Sequence, residues 1–309
     1  MTLAGMEQHM NEALPNECRL RLNNGVMMPS LGFGVYRIAP EATTQAVLSA
    51  LRAGYRLIDT AAAYNNEREV GEAVRRSGIP RSDIFVTSKL WPTDYGQDAA
   101  ARALDRSLGK LGLDYVDMFL LHWPLPSRFS QTVASYRVLE QNLAAGRIRA
   151  IGVCNHDAAN LEALMAETSL VPAVNQVELH PFFPQKELAQ AHARLGIVTQ
   201  AWSPLGGVNI YDAAPGKARH VLDHPVIVSL ARRLDRTPAQ IVLRWHVQQG
   251  HSAIPKSVHP QRMAENLAIF DFALSPADMD AIGGLDTGRR GGDDPQTVTE
   301  RTYPVVIAP

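Results

Sequence analysis

Five polar side chains of this chain stand at points where an apolar run ends. They are Asp59, Lys89, His122, Asn155 and Lys256. Apolar runs separated by helix-like segments are typical of parallel strands joined by crossover helices. In a closed barrel of such units, the carboxyl ends of all the strands open onto one mouth, where catalytic groups collect. We therefore expect these residues, although far apart in the chain, to meet around one pocket.

Three of the side chains at this mouth and one tyrosine could together transfer a proton. Each of these residues, considered singly, has an ordinary structural interpretation. Asp59 would be a cap, Tyr64 would be a packing residue, Lys89 would be a solvated cation, and His122 would be a structural histidine. A tyrosine hydroxyl has a pKa near ~10. A lysine cation nearby is expected to lower that pKa, and an aspartate keeps the lysine charged. With a histidine that orients a carbonyl oxygen, the set predicts protonation of the alkoxide that forms when hydride reaches the carbonyl carbon. The set holds no electron source, so it requires a cofactor.

A repeated strand-and-helix pattern must position these residues. Asn24-Gly25 predicts a hairpin turn before it. Strands are predicted at 32–36, 56–60, 84–89, 115–121, 148–154, 173–178, 197–202 and 252–256, and helices at 41–53, 67–77, 97–111, 131–145, 158–167, 185–194, 238–248 and 261–268, with further helices at 225–234 and 276–283. Eight such units predict a (β/α)8 TIM barrel with an N-terminal β-hairpin and extra C-terminal helices and loops. A doubly wound open sheet would use the same units, but the Gly-x-Gly-x-x-Gly turn expected of it is missing from the sequence.

Composition places the chain among ordinary soluble proteins. It has 309 residues, 46% of them hydrophobic, and a net charge of −1, which gives no indication of nucleic-acid or membrane partners. No apolar run reaches the length of about 18 residues that spans a bilayer. The two cysteines, Cys18 and Cys154, do not suggest a disulfide framework, so we expect a reducing, cytoplasmic location. We predict a flexible extension over 1–18, a single domain over 19–309, and a monomer.

Six segments carry a resemblance to a known family. They are Gly54 to Tyr64, Thr87 to Trp91, Leu121 to Pro124, Ile151 to His156, Val174 to Pro181 and Ile254 to Val258. In this order they resemble the aldo-keto reductase superfamily, and within it bacterial members similar to 2,5-diketo-D-gluconate reductase. The resemblance implies a (β/α)8 barrel that binds NADPH without a Rossmann domain and reduces aldehydes and ketones. It also implies that Asp59, Tyr64, Lys89 and His122 form the catalytic tetrad, with Tyr64 as general acid.

The cofactor residues follow from their positions and from the same resemblance. Asn155 and Gln176 end consecutive strands and could hydrogen-bond a carboxamide, and Trp202 could stack on a nicotinamide ring. Lys256 precedes a helix start, where backbone N–H groups favour a phosphate. The full predicted set is Gly34, Tyr36, Asp59, Asn155, Gln176, Trp202, Ser203, Leu205, Lys256, Ser257, Val258, Arg262, Glu265 and Asn266. Cys154 stands where relatives usually have serine, and His259 where the closest have a basic residue.

The substrate pocket is predicted beside the tetrad. Trp91 and Trp123 are expected to form its walls together with Tyr64 and His122. Loops 91–97, 123–130, 205–224 and 287–309 are expected to set specificity, with 205–224 as a mobile lid. Small aldehydes, dicarbonyls and keto-sugars are the predicted substrates. No metal site is predicted, because His156 and His180 leave different strands.

Two other functions use the same residues. A cofactor-sensing or scaffold subunit would keep the fold and bind the nucleotide but show little turnover, and the intact tetrad argues against it. A Schiff-base lyase would use Lys89 as its nucleophile. The adjacent tyrosine and the cofactor residues favour reduction of a carbonyl over both.

Overall fold

A computed structural model describes residues 19–206, 220–302 and 305–308, in which strands and helices alternate. The strands are β1 (Arg19–Arg21), β2 (Met27–Pro29), β3 (Phe33–Gly34), β4 (Leu57–Asp59), β5 (Phe85–Leu90), β6 (Val116–Leu121), β7 (Ile148–Cys154), β8 (Val174–Glu178), β9 (Val198–Trp202) and β10 (Ser252–Ala253). The helices are α1 (Pro40–Ala53), α2 (Glu67–Arg76), α3 (Gln97–Leu111), α4 (Phe129–Ala144), α5 (Ala158–Glu167), α6 (Lys186–Leu195), α7 (Pro225–Leu234), α8 (Pro238–Gln248), α9 (Pro260–Leu267) and α10 (Pro276–Gly283).

Strands β3 to β10 form one parallel sheet in chain order. The first and last strands of this sheet are also joined, through a parallel bridge between Leu31 and Ala253. The Gly32 N–H donates to the Ala253 carbonyl at 2.8 Å, and the Ala253 N–H donates to the Ser30 carbonyl at 2.9 Å. The sheet is therefore closed, and the predicted (β/α)8 barrel is confirmed.

The hairpin β1–β2 covers the end of the barrel where the strands begin. Gly25 adopts a positive φ of 86° in its turn, as expected of Asn-Gly. The Asn23 amide donates to the carbonyls of Val171 and Pro172, just before β8, 3.2 Å from each. Leu22 and Met28 are buried in the same apolar cluster as barrel residues. The open mouth is therefore at the carboxyl ends of the strands.

The helices follow the predicted pattern, with α7 and α10 outside the simple repeat. Helix α8 begins with the predicted capping box, in which Thr237 and Gln240 each accept from the other's backbone N–H. Most boundaries lie within one or two residues of prediction. The clearest difference is β10, predicted at 252–256 but only two residues long, because Pro255 has no N–H to continue the ladder.

Loops complete the mouth of the barrel. The predicted lid 205–224 falls largely on residues 207–219, which lie outside the described residues, as does the extension 1–18. Residues 287–302 and 305–308 contain no helix or strand, and Val298, Val305 and Ile307 pack with Trp91 and Trp123 at the mouth. Among the described residues, we find no helix with the length and apolar character needed to cross a membrane.

Candidate active site

The four residues of the predicted tetrad meet at the mouth. Asp59 ends β4, Lys89 lies in β5, and His122 directly follows β6. Tyr64 ends a short 3-10 turn after β4. Lys89 Nζ lies 2.5 Å from Asp59 Oδ1 and 3.4 Å from the Tyr64 hydroxyl. The ring centroids of Tyr64 and His122 are 5.7 Å apart. The chain therefore brings a carboxylate, an ammonium, a phenol and an imidazole into contact.

A buried asparagine fixes the loop that carries Tyr64. Asn66 accepts a hydrogen bond from the Thr60 hydroxyl at 2.8 Å. Its amide donates to the carbonyls of Val35 and Ile38, at 3.2 and 3.4 Å. Because buried polar groups with all partners in place rigidify their surroundings, these bonds hold the loop after β4 against the loop after β3.

Lys89 is fully buried and stays charged. Burial acts to lower the pKa of its ammonium, but the Asp59 carboxylate and the other acidic groups around it together outweigh this effect, so the pKa is raised above its ordinary value. The ammonium also donates to the Thr60 carbonyl at 3.0 Å. A fixed positive charge therefore lies beside the phenol of Tyr64.

The pKa of Tyr64 does not move in the direction that the sequence predicted. Burial raises this pKa above its ordinary value, and the opposing effect of the Lys89 charge is smaller. The expectation of a net lowered pKa is wrong for the protein alone, because the depth at which the phenol is buried is not visible in the sequence. Tyr64 is consequently protonated at neutral pH, which is the form a proton donor needs.

His122 is a neutral imidazole in this site. Burial, and then the charge of Lys89, lower its pKa well below the ordinary value. Its ring meets the Trp91 ring edge to face, with centroids 5.0 Å apart and planes at 89°. Its Nδ1 atom has no hydrogen-bond partner among the described residues. A neutral imidazole can hydrogen-bond a carbonyl oxygen without adding charge to the site.

A cavity of about 830 Å³ opens beside the tetrad. Its walls include most of the predicted site residues, namely Gly34, Tyr36, Asp59, Tyr64, Trp91, His122, Trp123, Asn155, Gln176, Trp202, Ser203, Leu205 and Lys256. Trp91 and Trp123 pack with Val298 in one apolar cluster, so the predicted apolar wall is present. Lys89 is fully buried and does not line the cavity. The remaining predicted cofactor residues also lie outside its wall, beyond Lys256 and along α9; they are Ser257, Val258, Arg262, Glu265 and Asn266.

The two residues predicted to bind the carboxamide, Asn155 and Gln176, differ in how many hydrogen bonds they already make within the protein. Asn155 donates to the His122 carbonyl at 3.0 Å and accepts from the Trp202 indole N–H at 2.8 Å. The amide nitrogen of Gln176 donates to Asp59 Oδ2 and to Gln200 Oε1, both at 2.8 Å. The oxygen of Gln176 lies 3.9 Å from the Cys154 sulfur, a weak donor. The Gln176 oxygen therefore has only a weak thiol donor and can accept a further hydrogen bond, while both ends of the Asn155 amide have protein partners.

The groups near the start of α9 fit a phosphate. The helix begins at Pro260 without a side-chain cap, and the N–H groups at a helix start favour an anion. Lys256 and Arg262 are both solvent-exposed cations at this end. Glu265 accepts a hydrogen bond from Gln261 on the helix, and Asn266 is only 5% exposed. These two are less accessible than the predicted role at the adenine end would suggest.

Sequence reasoning missed several residues of the mouth. Gln200 accepts a hydrogen bond from Gln176, Gly292 lines the cavity, and Glu178 accepts from the Gly292 N–H. Side chains two apart on a strand point to the same face. The positions of Gln176 and Trp202 could therefore have indicated Glu178 and Gln200, each two residues away on the same strand, whereas Gly292 gave no comparable signal.

The two histidines considered as metal ligands have other partners. A ring nitrogen of His156 lies 2.9 Å from the Cys154 carbonyl, and His180 hydrogen-bonds Glu178 at 3.1 Å. In the described part of the chain, we find no group of three or more His, Cys, Asp or Glu side chains that could hold a metal ion.

Comparison with known proteins gives consistent relatives. The model of the Aldo/keto reductase family matches residues 22–287. Morphine 6-dehydrogenase of Pseudomonas putida is 51% identical over 92% of this chain and 96% of its own length. Methylglyoxal reductase DkgA of Yersinia pestis is 44% identical, over 90% and 96%. The crystal structure of a Bombyx mori aldo-keto reductase in complex with NADP superimposes with a TM-score of 0.82, at 32% identity, over 89% of this chain and 94% of that one.

Proposed function

This chain belongs to the aldo/keto reductase family, and on that premise we propose that it is an NADPH-dependent reductase of small aldehydes and ketones. The observation that carries the proposal is the contact of 3.4 Å between Lys89 Nζ and the hydroxyl of Tyr64, a residue that lines the cavity. Reduced nicotinamide, when bound, supplies the hydride. Family membership itself supports carbonyl reduction as the general activity.

The residues of the tetrad have distinct proposed roles. His122, neutral and beside the cavity, hydrogen-bonds the carbonyl oxygen and fixes its direction. Tyr64 gives its hydroxyl proton to that oxygen as negative charge develops there. Lys89 stabilises the phenolate that remains, and Asp59 keeps Lys89 charged and in place. Trp91 and Trp123 exclude water from the reacting carbon.

Three observations support NADP as the nucleotide. Lys256 and Arg262 are exposed cations near the first turn of α9, where a 2′-phosphate would be neutralised. Gln176 Oε1 can accept from a carboxamide N–H, and Trp202 faces the same cavity. The Bombyx mori relative is in complex with NADP.

Replacing Tyr64 by phenylalanine tests the assigned proton donor. We expect kcat for a reactive aldehyde to fall about 10²- to 10⁴-fold, because the general acid is removed. The Kd for NADPH, measured by quenching of protein fluorescence, should stay within about twofold, since the ring remains. Tyr115→Phe, which removes a phenol beside Arg81 away from the cavity, is the matched control. Wild-type turnover in Tyr64→Phe would refute the assignment.

The substrate is best sought among compact carbonyl compounds. The names of the relatives point to methylglyoxal as an oxidant of NADPH and to morphine as a reductant of NADP⁺. A panel that adds simple aldehydes and keto-sugars, run in parallel with NADH, compares substrates and cofactors together. Turnover of any panel member would exclude the cofactor-sensing alternative.

A further inference from the structure

Glu178 is a buried carboxylate at the end of β8 with partners on a distant loop. One of its oxygens accepts from the Gly291 N–H at 2.7 Å, and the other accepts from the Gly292 N–H at 2.8 Å. The first oxygen also lies 3.1 Å from His180 Nε2. Burial acts to raise the pKa of Glu178, but these hydrogen bonds lower it below the ordinary value. The group is therefore ionised at neutral pH, when such bonds are strongest.

The partner segment is the carboxyl-terminal loop, which we define as residues 287–302. At its start, Thr287 donates to the Phe182 carbonyl from both its N–H and its hydroxyl, at 2.9 and 2.8 Å. Further along, Val298 is 1% exposed and packs against Trp91 and Trp123. Glu178 contacts the loop between these two points and so fixes its path beside the cavity.

Gly292 brings the loop directly against Trp202. A Cβ atom built on Gly292 would lie 2.6 Å from the Trp202 ring and 3.1 Å from Glu178 Oε2. Such a contact leaves no room for a side chain, so the loop backbone itself packs on the indole edge. Both Gly292 and Trp202 line the cavity. The position of Gly292 therefore sets the distance between the carboxyl-terminal loop and Trp202 in the cavity wall.

We propose that Glu178 is a positioning residue that holds the carboxyl-terminal loop against Trp202 and thereby limits the size of the carbonyl substrate that the cavity admits. It acts through the loop and does not itself line the cavity. The first half of the proposal concerns structure alone. The second half, on substrate size, rests on the proposed function.

Limited proteolysis tests the structural half without any turnover. Arg289 and Arg290 directly precede the bound glycines, so trypsin can report on this segment. In Glu178→Gln, one loop N–H meets an amide N–H in place of an oxygen, and we expect cleavage after these arginines to be about tenfold faster or more. Asp286→Asn is the matched control, because Asp286 directly precedes the loop and accepts from the Gly288 N–H two residues away. Equal cleavage rates in Glu178→Gln and wild type would overturn the proposal.

A pair of substrates tests the half that concerns size. We expect Glu178→Gln to raise the ratio of kcat/KM for phenylglyoxal to that for methylglyoxal several-fold, through a lower KM for the larger compound. Gly292→Ala displaces the loop from the other side and should change the ratio in the same direction. It also serves as the test if Glu178→Gln fails to fold. Faster proteolysis with an unchanged ratio would overturn the role in specificity, whereas no turnover by wild type would count against the proposed function alone.

Discussion

At the scale of single residues, the tetrad is one end of a hydrogen-bonded line that crosses the barrel interior. Lys89 donates to Asp59, and Gln176 donates to both Asp59 and Gln200. Gln200, fully buried, in turn donates to the Ser252 hydroxyl at 3.0 Å. With both N–H groups of Gln176 committed, its amide has a single orientation, and its oxygen is left as an acceptor.

Replacing Gln200 by leucine should disturb this orientation. With one hydrogen-bond partner lost, the side-chain amide of Gln176 can rotate away from the orientation that presents its oxygen. We therefore expect the Kd for NADPH to rise about 3- to 10-fold, the effect of one hydrogen bond. The Kd for adenosine 2′,5′-bisphosphate, which lacks the nicotinamide, should not change. Both values can be measured by isothermal titration. A parallel rise in both would show that the substitution acts on the whole site and not on the nicotinamide end.

The sequence predicts which residues meet at the mouth but not how each behaves there. The positions of Asp59, Lys89 and His122 at strand ends are enough to bring them together, because parallel strands in a barrel share one mouth. The orientation of the Gln176 amide depends on Gln200, and the raised pKa of Tyr64 depends on burial. Both depend on contacts between distant parts of the chain, so no local pattern reveals them.

At the scale of elements, the packing of α2 on α3 depends on one glycine. A Cβ atom on Gly71 would lie 1.8 Å from the Leu111 carbonyl oxygen, so α2 meets the end of α3 backbone to backbone. Gly109, also helical, has nothing within 4 Å of such an atom. The same substitution at these two positions therefore separates close packing from helix propensity.

Alanine at the two positions should have opposite effects on the free energy of unfolding. We expect Gly71→Ala to destabilise the protein by about 1–3 kcal/mol or more through overpacking. Gly109→Ala should stabilise it by about 0.5–1 kcal/mol, since alanine favours the helix and meets no atom. Urea denaturation followed by circular dichroism measures both. A stabilising Gly71→Ala would show that the two helices separate at little cost.

The elements themselves follow from the sequence more closely than their pairing does. Helix α8 was predicted with its bounds because Thr237, Pro238 and Gln240 mark its start. The prediction for the closing strand β10 is too long, because it follows the apolar run past Pro255, which has no N–H for the ladder. Gly34 N–H, for example, reaches the Pro255 carbonyl at 3.1 Å outside any regular strand pairing.

At the scale of the whole molecule, buried histidines make stability depend on pH. Burial lowers the pKa of His156, His192 and His251 to about 4 and that of His246 to about 3. At His192 both ring nitrogens also have partners, since one lies 2.9 Å from the Asn175 amide nitrogen, a donor, and the other lies 2.8 Å from the Thr199 hydroxyl. The nitrogen that accepts from Asn175 has no place for a proton.

The free energy of unfolding should therefore fall as the pH drops below about 6.5. The histidines of the unfolded chain then bind protons, whereas those of the folded protein stay neutral. This difference lowers the free energy of unfolding by about 2 kcal/mol per histidine at pH 5. Urea denaturation at about pH 7 and pH 5 measures the difference. His192→Asn should reduce proton uptake on unfolding by about one. Equal stability at both pH values would contradict the assignment of these histidines as neutral.

The two ends of the described chain lie at opposite ends of the barrel, and this matters for where a fusion can be attached. Arg19 lies in the hairpin, on the far side from the cavity, whereas the Ala308 N–H donates to Asn65, the residue next to Tyr64. An affinity tag or fluorescent fusion is therefore best attached ahead of residue 19. The same addition after residue 308 would be placed within reach of the proton donor.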